Sequence, residues 1–160
     1  MAGFTCRLAS PKDLTEITSL WSEGMAVHAR LDPRFPLVTN AEERFRTYLE
    51  EVLKDRNALL LAAETAPHVV GYCLARVSQH PAVFSKQTYG YINDLFVGAG
   101  HRRKGIGKAL FEAAASRLRE RGIQAFEVSL VPTNGMASSF WRKLGFTTRL
   151  ETLRLEADAT

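Results

Sequence analysis

The chain has 160 residues, two cysteines, 46% hydrophobic and 24% charged residues, and a formal charge of +4. That length suits one cored domain, expected over residues 1–160, and the composition excludes wholesale disorder. Cys6 and Cys73 make no disulfide framework, no apolar run approaches membrane-spanning length and no leader-like amino end is present, so a cytoplasmic protein without a membrane partner is expected.

Residues 3–9, GFTCRLA, read as a short strand. In SPKDL after it, Ser10 caps a helix, Pro11 takes the first helical position where its missing N–H costs nothing, and Asp13 completes a box-like pattern. Leu14, Ile17, Leu20, Trp21 and Met25 recur at helical spacing as a core stripe, and the helix ends before Pro33. Thr39 or Asn40 caps a second helix, with Phe45, Leu49, Val52 and Leu53 on its apolar side. Residues 58–64 and 69–77, joined by TAPH, predict an antiparallel hairpin.

Residues 91–97, YINDLFV, form the next predicted strand, and a helix from Lys104 to Arg121 stops at Gly122. Residues 126–131 predict a strand stopped by Pro132, and residues 134–144 a short helix ended by Gly145. Residues 148–155 alternate as a last strand, and the polar residues after them are expected to fray. Strands interspersed with helices indicate one α/β or α+β layered structure.

The stretch HRRKGIG, residues 101–107, carries the chemistry. A strand, a turn and a glycine-opened helix aim unpaired backbone N–H groups at one point, where an anion is held. Gly105 and Gly107 present no Cβ to an incoming phosphate, and Arg102, Arg103, Lys104 and Lys108 add positive potential. A diphosphate is the expected guest; a structural glycine turn with a solvated basic face is the alternative. The spacing matches neither the P-loop nor the dinucleotide-binding glycine pattern.

Residues 102–107, Arg-Arg-Lys-Gly-Ile-Gly, resemble the pyrophosphate-binding signature of the GCN5-related N-acetyltransferase superfamily, Arg/Gln-x-x-Gly-x-Gly/Ala. Asn134, Ala137, Phe140, Gly145 and Phe146 fall in register with a second feature of that family, N-x-x-A-x-x-F-Y-x-x-x-G-F. The resemblance covers nearly the whole chain. It implies a mixed, mostly antiparallel sheet flanked by helices and splayed between the strands ending at Val97 and Val131. Acetyl-CoA would lie in that splay, its pantetheine arm paired with the backbone of Leu95, Phe96 and Val97 as an added strand would be. Its pyrophosphate would meet the N–H groups from Arg103 through Lys104, Gly105, Ile106 and Gly107 to Lys108. Asn134 would bond the arm or cap its own helix.

Transfer of an acetyl group from a thioester to an amine needs a neutral amine, a stabilised carbonyl oxygen and a leaving thiolate. The family's usual acid tyrosine is matched by Trp141, whose indole N–H is no practical proton donor; a wall of the acyl region or plain core is expected. The positions where relatives place a glutamate base are matched by Asn93 and Tyr91. Asp94 is the nearest carboxylate, a candidate to guide or deprotonate the amine against a favoured structural or capping role, and strand alternation puts it on the opposite face from Asn93 unless a bulge intervenes. His28 and Asp32, in HARLDPRF, and His80 after the central strand are candidate rims of the acceptor site; helix-end, turn and surface roles compete with that reading. No histidine or cysteine spacing recommends a metal.

The leading function is therefore acetyl-CoA-dependent transfer to a primary amine of a small molecule, peptide or protein. A non-catalytic acyl-CoA-binding or sensor domain is the alternative. A nucleic-acid partner ranks third, because the basic residues focus on one helix start instead of striping a face. Homodimers are common in the superfamily, so the final strand is expected to serve either as an interface or as a protected edge.

Overall fold

The computed structural model describes residues 3–157. In chain order it contains β1 (Thr5–Leu8), a 3-10 turn (Pro11–Asp13), α1 (Leu14–Leu31), α2 (Ala41–Val52), β2 (Ala58–Thr65), β3 (His68–Gln79) and β4 (Thr88–Val97). A second 3-10 turn (Ala99–His101), α3 (Ile106–Arg119), β5 (Phe126–Val128) and α4 (Gly135–Lys143) complete it. The sheet order is β1-β2-β3-β4-β5, antiparallel throughout except for the parallel pair β4–β5. This is the mixed, mostly antiparallel sheet that the resemblance implied.

Both faces of the sheet are covered. Side chains alternate along β2, so Leu59 and Leu61 join the core under α3 and α4, while Leu60 and Ala62 join the one under α1 and α2. That double burial explains why residues 58–64 read as a continuous apolar run. Leu14 and Ile17 of α1 and Phe45 and Leu49 of α2 fill one side; Leu110 and Leu118 of α3 and Trp141 of α4 fill the other. The first turn is pinned by charge. Asp13 accepts from the Ser10 N–H at 2.8 Å and from Arg7 at 2.8 and 2.9 Å, and Arg7 also reaches Glu64 at 2.6 Å. Arg7 holds the Asp13 carboxyl down at about 2.

Several boundaries differ from the sequence reading. The hairpin and its neighbour are longer, β3 running to Gln79 and β4 starting at Thr88, because their ladder continues to that last pair. α3 starts at Ile106, not Lys104, because Gly105 stands just before it in the left-handed region at φ 81°. β5 ends at Val128, not Val131, since its last partner is Ile92. Residues 148–155 form no strand. Their alternation meets no ladder, and Leu150, Leu153 and Leu155 remain 76%, 87% and 93% exposed. The last three residues, expected to fray, lie outside the described ones.

Candidate coenzyme and acceptor site

After its last pair with β5, β4 continues for five more residues to Val97. The two segments part there, and a cavity of about 770 Å³ lies between residues 93–97 and residues 128–131. The start of α3, one side of α4 and the second half of α1 close it. The β5-facing backbone groups of Leu95, Phe96 and Val97 are left without a strand partner, a bare edge that an extended ligand can pair with.

At the base of the cavity the turn after β4 presents its amides. The backbone N–H groups of Arg103, Lys104, Gly105, Ile106, Gly107 and Lys108 donate to no backbone carbonyl among the described residues; Ala109 is the first to do so, to Gly105 at 3.0 Å. Arg103 is itself left-handed at φ 62°, an unusual conformation for a side-chain-bearing residue, and helps curl these amides inward. Gly105 and Gly107 serve different ends. A Cβ at Gly105 would meet nothing within 4 Å, so its glycine answers to φ; a Cβ at Gly107 would stand 3.3 Å from the Phe140 ring, so its glycine lets α3 and α4 approach.

The cations around the turn are less available than the sequence suggested. Arg102 turns inward, donating from Nε to the Val97 carbonyl at 2.9 Å and lying 5.1 Å over the Phe96 ring, with Glu23 at 4.0 Å. It braces the turn. Lys104 donates to the Gly100 carbonyl at 3.1 Å, and Lys108 stands 3.6 Å from Glu112. The Asn134 carbonyl oxygen accepts from the Ala137 N–H at 3.1 Å, so the helix-cap role is real, and the residue also faces the cavity.

The bulge that decides Asp94 is present. Leu74 pairs with Asp94 and Ala75 with Ile92, leaving Asn93 unpaired. Ile92, Leu95 and Val97 accordingly pack toward α3, whereas Phe96 packs toward α1. Asp94 shares the Phe96 face, as Tyr91 does on the other side of the bulge. Its half-buried carboxyl lines the cavity, and burial alone pushes it up to about 7. Asn93 is exposed beside it.

Trp141 is 5% exposed, with its ring edge-on to Phe111, Phe140 and Phe146 at 5.0–5.6 Å, and it contributes to the cavity wall. It is both core and wall. His28 also lines the cavity, but three other candidates do not. The buried Asp32 is clamped by Arg34 at 2.7 and 2.8 Å in a local turn, which lowers its pKa. Tyr91 spends its hydroxyl on Ser129 at 2.8 Å. His80 stacks on Tyr89 with ring centres 4.2 Å apart and meets Glu127 at 3.2 Å. Cys73 is sealed in the core, its thiol pushed up by burial, and is no nucleophile.

Gly24, Met25 and Val27 join the wall although the apolar stripe marked only core. The available signal was a glycine inside a helix. A Cβ at Gly24 would stand 3.0 Å from the Phe96 ring, so α1 crosses β4 closely there. Among the described residues no helix is long and apolar enough to cross a membrane, and no cluster of three metal-ligating side chains occurs.

The profile of the Acetyltransferase (GNAT) family matches residues 24–146. The chain belongs to that family. Its match to the mycothiol acetyltransferase of Segniliparus rotundus is 29% identical over 105 residues, 66% of this chain and 39% of that one. The curated relatives are matched over 28% to 62% of their own lengths. Among solved structures, a GCN5-related N-acetyltransferase from Ralstonia eutropha superposes with a TM-score of 0.75 at 25% identity, over 98% of this chain and 100% of that one. A Bacillus halodurans protein does so at 0.81 and 23% identity, over 96% and 99%, showing the shared fold. The GNAT match includes the unpaired amides, the bulge and the parting of β4 from β5.

Proposed function

We propose that this GNAT chain transfers an acetyl group from acetyl-CoA directly to a primary amine of a small molecule or peptide. The observation that carries this reading is the run of unpaired amides at Arg103 to Lys108, set beside the bare edge of β4 in a cavity of about 770 Å³. Together they suit a diphosphate joined to an extended, amide-bearing arm. When bound, acetyl-CoA supplies an acetyl group activated as a thioester.

The chain's own residues then have defined tasks. Asp94, ionised above about pH 7, takes a proton from the arriving ammonium so that a neutral amine is presented at the cavity. Asn93 flanks that entrance, and His28 forms its rim from α1. Trp141 excludes water from the acyl end, and no side chain is assigned as acid; water or the departing ammonium proton serves the leaving thiolate. Much of the rate comes from holding two reactants in line.

The reading extends to a cytoplasmic protein, supported by two unpaired cysteines, and to a homodimer, supported by the exposed leucines after residue 148. The deciding experiment is an acetyl-CoA titration followed by thiol release across an amine panel. Binding with turnover is expected. Binding without turnover on any amine would instead favour the acyl-CoA sensor alternative, and no binding would sink both.

A further inference from the structure

Below Asp94 the α1 face of β4 and β5 carries a polar shelf that the coenzyme site does not use. Tyr91 opposes Glu127 in the parallel pair, and Tyr91 reaches Ser129 at 2.8 Å, so all three side chains share one face. Ser129 lines the cavity, which makes the shelf continuous with it. At its far end His80 lies flat on Tyr89 and holds the Glu127 carboxylate at 3.2 Å. A cation already sits there: the guanidinium of Arg149 bonds Glu127 and stands 3.2 Å from His80 Nε2.

That cation is loosely owned. Arg149 belongs to residues 147–157, which have no secondary structure, and its side chain is 56% exposed against 26% for Glu127. A half-exposed ion pair holds such a segment only weakly. We infer that Glu127, with His80 and Tyr89, is a subsite for a second cationic group of the acceptor, occupied in the free protein by the chain's own Arg149. This rests on the acetyl-transfer reading and specifies its acceptor as an amine carrying a distal ammonium or guanidinium. From the strand rise, the two groups lie roughly 7–10 Å apart, the distance from Asp94 back to the Tyr91–Glu127 pair. Arg149 then limits access until a competing cation displaces it.

The test compares 1,6-diaminohexane with hexylamine, alike in chain length and different only in the distal ammonium, by thiol release from acetyl-CoA. The ratio of their kcat/KM values is expected to exceed about tenfold in the wild type and to fall by about tenfold in Glu127→Gln. Arg149→Ala, which empties the subsite, is expected to raise the ratio by about threefold, chiefly through KM. It also serves if Glu127→Gln folds poorly. A wild-type ratio near one, a ratio that Glu127→Gln leaves within twofold, or a fall with Arg149→Ala overturns the subsite. So does acetyl-CoA binding without turnover of either amine, which leaves the coenzyme site standing. Failure to bind acetyl-CoA overturns the parent reading and the subsite with it.

Discussion

Asp94 carries two opposed consequences of one burial. Its folded pKa of about 7 lies above the ordinary 3.8, so the native state favours the protonated form. Ionising it therefore costs stability progressively as pH rises from about 4 to 7, and by a constant amount above that. Asp94→Asn is expected to raise the melting temperature at pH 8 with no gain near pH 4, while removing the rise of kcat/KM through about pH 7. Thermal scans and a pH–rate profile check both limbs. At the signature, Gly107→Val is expected to cost about 1–3 kcal/mol, because branching beyond a Cβ already 3.3 Å from Phe140 overpacks the α3–α4 contact. Thermal melting and acetyl-CoA titration should fall together. The left-handed φ of Gly105, between a 3-10 turn and α3, was not readable from composition.

Between elements, Arg102 acts as a brace linking α1, the end of β4 and the turn before α3, through Glu23, Val97 and Phe96. Its charge is spent locally. Arg102→Ala should lower stability by about 1–2 kcal/mol and weaken acetyl-CoA binding without changing the salt dependence of that binding. Arg103→Ala should flatten the salt dependence, since Arg103 faces the cavity and is exposed. Titrations at two ionic strengths separate the two. The bulge at Asn93 teaches the same lesson about elements. YINDLFV announced a strand and left two faces open for Asp94; the register against Leu74 and Ala75 chose one. β5 was overread for a related reason, because its apolar residues run past Val128 to line a cavity instead of a ladder.

For the molecule as a whole, acid stability depends on the Arg7, Asp13 and Glu64 cluster that ties the first turn to β1 and β2. Asp13 has a folded pKa of about 2, below its ordinary 3.8. Its contribution is complete above pH 3.8 and is lost as pH falls toward 2. Arg7→Ala should raise the acid-unfolding midpoint and make stability fall less steeply with pH below 4, because the Asp13 pKa then returns toward its ordinary value, followed by circular dichroism from pH 6 to pH 2. The terminal segment behaves oppositely. With Leu150, Leu153 and Leu155 exposed, replacing all three with serine should change the melting temperature of the monomer by little and improve solubility. Size-exclusion chromatography of the same variant reads whether those leucines join two copies.

Local pattern alone determined much of this protein. Helical spacing marked α1 and α2, two apolar runs joined by a short link marked the hairpin, and two glycines after a strand marked an anion cradle. These are signals written by neighbours in the chain, where sterics and hydrogen bonds act over a few residues. Tertiary structure alone decided which side chains meet: it turned Asp94 toward α1, moved His80 to Glu127 and left residues 148–155 unpaired. Each outcome depends on strand register or on a partner distant in the chain, and spacing along one strand of sequence carries no record of either.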